Sequence, residues 1–300
     1  LIVVPSTIAT GYAVGIFFGY SDLTSISIGA AMAISSVGMC ARVLVDLDQL
    51  QTPAGITLIS VAVIDDIAGV AFLGALLSLS TNNGASSLSI LTLILRVGLF
   101  FLFIYILGFI LKTPEKMIEP VNKSKTMGTL LSYVFVVLFA SMSLAELLGI
   151  HAIIGAFFAG LMLNRGFAGT ETGIRESIMI FTFGLFAPLA YSWVGLNTTL
   201  GVLVANIPLL VVILFTGFAS RIVGGVIGGK LVGLEWGDSL IVGVGLTGRA
   251  GIELAILEVL RSANLINSEI YTSFVILTAT ACILMPFMLK CVGAWLGVNK

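Results

Sequence analysis

The chain has 300 residues, 58% of them apolar and only 10% Asp, Glu, Lys or Arg. Soluble domains run at about 45–50% apolar and about 25% charged, so this composition belongs to a chain solvated by lipid. Its mean hydropathy of +1.16 points the same way and excludes disorder, which goes with few apolar residues and much charge. With 14 basic against 15 acidic residues the net charge is −1, which leaves no basic footprint for nucleic acid. The three cysteines, Cys40, Cys282 and Cys291, lie in or at the ends of apolar stretches and fit neither a disulfide framework nor a zinc spacing.

A helix crossing the hydrocarbon takes about 20 mostly apolar residues. In chain order, ten segments meet or approach that length: roughly 1–20, 24–45, 54–79, 89–112, 127–148, 150–164, 174–194, 200–232, 239–260 and 269–292. The sixth is short, and the eighth is long enough to tilt or carry an extra turn. None shows the alternation of a barrel strand. The expected fold is therefore an all-α polytopic membrane protein of about ten spans, whose helices satisfy their own backbone groups in lipid. The chain opens at Leu1 inside an apolar run, with neither an initiator Met nor a basic leader, and reads as a fragment.

Loop Lys and Arg set the orientation. One side receives Lys112, Lys116, Lys123, Lys125, Arg165, Arg175, Lys290 and Lys300. The other has Arg261 and the uncharged loop Thr81-Asn82-Asn83-Gly84. The first side is expected to be cytoplasmic.

Charges inside spans carry the functional signal. The third segment reads Ala62-Val63-Ile64-Asp65-Asp66-Ile67-Ala68, with two aspartates near its midpoint. Left ionised and unpaired they would cost roughly 5–7 kcal/mol, so function rather than packing is the expectation. Neighbours on a helix point about 100° apart, so one carboxylate can face a wet cavity while the other faces a neighbouring helix. Arg221 sits near the middle of the eighth segment and needs a counter-charge at equal depth, which Asp65 or Asp66 supplies. Lys230 is close enough to its helix end to snorkel.

The ninth segment holds Gly248-Arg249-Ala250-Gly251-Ile252-Glu253. Arg249 and Glu253 share a face if the helix is continuous, either as a neutralising pair or with a direct role at the site. Gly243, Gly245 and Gly248 spell G-x-G-x-x-G, but without a βαβ unit this carries no dinucleotide meaning. The second segment is interrupted by Ser35-Ser36-Val37-Gly38-Met39-Cys40, where hydroxyls and freed carbonyls could coordinate a cation in a discontinuous helix. Gly11, Gly15 and Gly19, with the pairs Gly224/Gly228 and Gly225/Gly229, read as helix packing. His151, the one histidine, reads as structural, Glu146 and Glu258 as interfacial, and Trp193, Trp236 and Trp295 as an aromatic belt.

The runs Ser35-Ser36-Val37-Gly38-Met39-Cys40-Ala41-Arg42-Val43-Leu44 and Ala62-Val63-Ile64-Asp65-Asp66 resemble the monovalent cation:proton antiporter-2 family, which includes NapA-like sodium/proton antiporters. Gly248-Arg249-Ala250-Gly251-Ile252-Glu253 is similar to its G-R-G-A-x-E segment, and His151-Ala152-Ile153-Ile154-Gly155-Ala156-Phe157-Phe158-Ala159-Gly160 to its G-A-F-x-A-G segment. The resemblance implies a NhaA/NapA-like fold of inverted repeats, for which NhaA is a standard example. It implies core repeat 1 over 1–79, linker and dimerisation-side helices over 80–199, and core repeat 2 over 200–300. The discontinuous helices would be 24–45 and 239–260.

By the same resemblance Asp66 is the principal ion- and proton-binding carboxylate and Asp65 pairs with Arg221. Ser35, Ser36, Cys40, Arg249 and Glu253 lie in the discontinuous helices. Two residues depart from the family pattern. Arg221 stands where electrogenic members have Lys, and a guanidinium does not readily release a proton. Cys40 stands where Thr is common, leaving Ser36 and backbone carbonyls as candidate ligands.

The expected activity is exchange of Na+ or Li+ for H+ by alternating access, with proton and cation competing at Asp66. The alternative is K+/H+ exchange or Kef-like potassium efflux. The resemblance thus implies a transporter rather than an enzyme, with transported cations and protons and no cofactor expected. It is expected to be a homodimer in the bilayer, in a bacterial inner membrane.

Overall fold

In the computed structural model, residues 2–81, 102, 127–148, 152–166, 173–199, 201 and 206–295 are described. The described residues are mostly helical, with no strand among them. Asn82–Gly84, all of the segment 89–112 but Leu102, Lys112, Lys116, Lys123, Lys125, His151 and Lys300 lie outside them, as do the side chains of Arg165 and Arg175. The chain forms two compact units, one of Leu1–Leu76 with Trp193–Lys300 and one of Leu77–Ser192.

The first unit opens with α1 (Val3–Phe17), which stops at Gly19 with φ +78°. Helix α2 (Asp22–Met32) starts at Ser21, whose hydroxyl accepts from the Thr24 N–H, with Asp22 favourably placed in its first turn. The chain then unwinds over 33–36. Ser36 caps α3 (Val37–Asp46) by accepting from the Met39 N–H at 3.3 Å. Asp48 turns the chain at φ 54°, and α4 (Pro53–Thr81) follows with proline in its first position.

In the second unit, α5 (Met127–Leu147) packs on α6 (Ala152–Gly166), where a Cβ on Gly155 would come within 2.4 Å of the Ser141 carbonyl oxygen. A small core of Val134, Val137, Ala159 and Leu163 fills that contact. Helix α7 (Gly173–Phe181) continues through a π-helical turn, Thr182–Phe186, into α8 (Ala187–Asn197), which runs on into the first unit. Phe183 and Leu196 are exposed at 69% and 85%, as expected where lipid rather than water is the solvent.

The first unit resumes with α9 (Ile207–Leu231), capped by Asn206 and carrying Pro208 in its first turn. Cap and proline together begin this helix later than the expected segment 200–232. After Gly233 at φ +87° comes α10 (Trp236–Gly245), then an unwound stretch over 246–250, then α11 (Gly251–Ser262). Asn264 turns the chain at φ 57° and leads to α12 (Ser268–Trp295).

The two halves of this unit share a pattern of close approaches. A Cβ on Gly11 would lie 2.5 Å from the Gly29 Cα, and one on Gly15 would lie 2.5 Å from the Ser25 hydroxyl. A Cβ on Gly225 would lie 2.4 Å from the Gly243 Cα, and one on Gly229 would lie 2.8 Å from the Ser239 hydroxyl. The second set stands 214 positions after the first, residue for residue. Backbones meet where the residues are small. Gly224 is also close-packed, with Ser6 Oγ 3.1 Å from its would-be Cβ, whereas at Gly228 the nearest atom is 3.9 Å away. Gly19 corrects the packing expectation: a Cβ there would meet nothing within 4 Å, and its positive φ makes it a turn residue, as Gly233 is 214 positions on.

Five described helical stretches are long and apolar enough to cross a membrane: Asp22–Asp46, Pro53–Gly74, Glu176–Asn197, Ile207–Leu231 and Ser268–Trp295. Trp193, Trp236 and Trp295 are all more than half exposed near helix ends. A core containing Cys40, Leu44, Leu58, Ala62, Val244, Leu246, Met285 and Leu289 locks α3, α4, α10 and α12 around the two interruptions.

Candidate cation site

The two unwound stretches touch. The Ser36 N–H donates to the Gly248 carbonyl at 2.9 Å, and the Cys40 thiol donates to the Gly245 carbonyl at 3.2 Å. Each interruption thus satisfies part of the backbone polarity that the other leaves open, as buried peptide groups require.

Arg221 is fully buried on α9. Its Nη1 donates to Asp65 Oδ2, which also accepts from the Ser35 hydroxyl at 3.1 Å. Its Nε and Nη2 donate to the Met32 carbonyl at 3.3 and 3.2 Å. Arg249 reaches the same oxygen at 3.1 Å through Nη2, while its Nη1 donates to Glu253 Oε1 and, at 3.4 Å, to the Ala31 carbonyl. Two guanidiniums therefore converge on the last carbonyls of α2, which lack intrahelical partners and carry the negative end of the helix dipole. Gly217, one turn before Arg221, leaves the room: a Cβ there would press on Leu277 at 2.8 Å and approach Arg249 Nη2 at 3.6 Å.

Arg249 lies in the interruption and Glu253 in the first turn of α11, so their pair forms across the start of a helix rather than along a continuous one. Glu253 Oε2 accepts from the Thr278 hydroxyl on α12 at 2.9 Å, and the Arg249 carbonyl accepts from the Cys282 thiol at 3.2 Å. Both members are 1% exposed, so breaking either partnership would strand a charge.

Asp66 is different. It is buried at 5% exposure, and among the described residues its Oδ1 is buried without a hydrogen-bond partner. Arg221 pairs with Asp65 and not with Asp66, because adjacent residues diverge around the helix. Of the other sequence candidates, Ser35 belongs to the Asp65 network, Ser36 serves as a helix cap and Cys40 bonds a backbone carbonyl.

Sequence reasoning missed the Met32 carbonyl and Thr278. No side-chain pattern marks a carbonyl. Thr278, however, is a hydroxyl in the middle of an apolar span, and that signal was available.

Among the described residues the first unit is a helical assembly with two interrupted helices crossing beside paired buried charges, an arrangement suited to a secondary transporter. The profile of the sodium/hydrogen exchanger transmembrane family matches residues 1–295. A Na(+)/H(+) antiporter of Enterococcus hirae is 27% identical over 93% of this chain and 72% of its own length. The Na(+)/H(+)-K(+) antiporter GerN of Bacillus cereus is 24% identical over 93% of this chain and 70% of its own. A K(+)/H(+) antiporter of Saccharomyces cerevisiae is 25% identical over 83% of this chain and 29% of its own. The chain belongs to the sodium/hydrogen exchanger family and is a membrane transporter, not an enzyme.

Proposed function

We propose that the protein exchanges Na+ or Li+ for H+ at Asp66 by alternating access. One observation carries this reading: Asp66 holds a buried carboxylate oxygen without a partner among the described residues, beside an ion pair that is already neutralised. A carboxylate so placed binds a proton or a metal cation but not both, and that exclusion couples the two gradients. Asp65, Arg221 and Ser35 hold the neighbouring charge in place, while Arg249, Glu253, Ser36 and Cys40 shape the crossing of the interrupted helices. The shared spacing of the close-packed small residues supports two core repeats, 1–79 and 200–300, related as inverted copies in a NhaA/NapA-like fold of ten spans. The intervening 80–199 would supply dimerisation-side helices of a homodimer in a bacterial inner membrane.

The test is ion-driven proton flux in proteoliposomes. Na+ and Li+ should drive flux that Asp66→Asn abolishes; full activity in that variant overturns the assignment. K+/H+ exchange on the same site is the second reading, favoured by the potassium in the names of two of the relatives. Flux with K+ but not Na+ would select it.

A further inference from the structure

Arg261, in the last turn of α11, reaches beyond its own helix. Its Nη1 donates to the Asn197 carbonyl at 3.2 Å, and its guanidinium carbon lies 4.8 Å from the centroid of the Tyr271 ring on α12. Asn197 is the last residue of α8, and it falls in the same compact unit as α11. The carbonyl that Arg261 holds is one of those that end a helix without an intrahelical partner, at the negative end of the α8 dipole.

Beside this contact stands a second acceptor that is not used. Glu258 precedes Arg261 by three residues, so the two side chains are neighbours on one face of α11. Both face the hydroxyl of Tyr271, which is fully buried. Yet Glu258 Oε2 and Tyr271 Oη are buried and, among the described residues, neither has a hydrogen-bond partner. Folded proteins pair nearly all such atoms, so two exceptions side by side call for a cause. A carboxylate is the stronger acceptor for a guanidinium, because both partners of the bond are then charged. Arg261 is thus held on a neutral acceptor with a charged one in reach.

We propose that Arg261 is a two-position latch on the end of α8. In the state described here it holds the Asn197 carbonyl. In the other state of the transport cycle it turns across the Tyr271 ring to Glu258 Oε2 and lets the end of α8 go. The exchange trades a carbonyl at a helix end for an ion pair, which keeps the two positions close in free energy, as a cycling element requires. Arg261 is a positioning residue that acts through α8 and touches no transported ion. The inference rests on alternating access and holds whichever cation is carried.

Spin labels on Thr199→Cys and Ser262→Cys, in a Cys282→Ser/Cys291→Ser background, report the separation of the two elements by double electron–electron resonance in nanodiscs. Cys40 is buried and stays in place. Cation-driven proton flux of the labelled protein in proteoliposomes tests the transport reading separately. Two distances should appear, the short one with Arg261 on Asn197 and the longer one with it on Glu258. Glu258→Gln leaves the Asn197 and Tyr271 contacts of Arg261 intact. It should lower the population of the longer distance roughly tenfold, the scale of one hydrogen bond between charged groups, and slow flux with it. Glu258→Asp, which keeps the charge, should restore part of both. A single distance in the protein with Glu258, with and without Na+, would overturn the proposal. So would two distances whose populations Glu258→Gln leaves unchanged, or full flux from a Glu258→Gln protein that shows the short distance alone.

Discussion

Arg221 and Asp65 form a fully buried ion pair across α9 and α4, and the same guanidinium holds the terminal carbonyl of α2. Removing one member strands the other. Arg221→Met should therefore lower stability by about 3–5 kcal/mol, whereas Arg221→Met combined with Asp65→Asn should recover much of that loss. Thermal unfolding in detergent measures both; equal losses for the single and double variants would contradict the pairing.

Glu253 is held from two directions, by Arg249 and by Thr278. Thr278→Val should cost about 1.5–3 kcal/mol, the usual worth of a hydrogen bond to a charged group. Thr278→Ser, which keeps the hydroxyl, should recover most of it. The same thermal assay separates the two.

Close backbone approach distinguishes glycines that look alike in sequence. Gly225→Ala places a Cβ 2.4 Å from the Gly243 Cα, where only backbone can give way, and should destabilise by about 1–3 kcal/mol. Gly228→Ala meets nothing nearer than 3.9 Å and should be neutral or gain up to about 1 kcal/mol from helix propensity.

What the sequence shows and hides follows from this chemistry. Charges at mid-span are legible because lipid makes them expensive, so Asp65, Asp66, Arg221, Arg249 and Glu253 stand out from composition alone. Which aspartate meets Arg221 is not legible from spacing, since it depends on the rotation of α4 about its own axis. The Met32 carbonyl is invisible because every residue has one. The correspondence of Gly11, Gly15, Gly19, Ser25 and Gly29 with Gly225, Gly229, Gly233, Ser239 and Gly243 is present in the sequence. It is hard to see there because apolar residues between these points interchange freely. Gly19 misled for the opposite reason: its spacing imitates packing, but its role is a turn.

Charge counting predicts the stoichiometry. Arg221 with Asp65 and Arg249 with Glu253 cancel, leaving Asp66 as the remaining charge of this cluster. One proton or one monovalent cation neutralises it equally, so exchange should move no net charge, although each charge moved would gain about 2.3 kcal/mol per 100 mV. A Na+ concentration jump on a solid-supported membrane should give no sustained current in wild-type protein that is active in flux assays. A sustained current would mean that another group gives up a proton during the cycle.

Proton release on cation binding probes the shared carboxylate most directly. Titrating Na+ into weakly buffered, detergent-solubilised protein should release about half a proton per bound ion at the midpoint of Asp66 protonation and up to about one below it, since the ligand must be deprotonated to bind. Asp66→Asn should release none. Undiminished release from that folded variant, or cation binding in wild type with no proton released at any pH, would contradict exchange at Asp66.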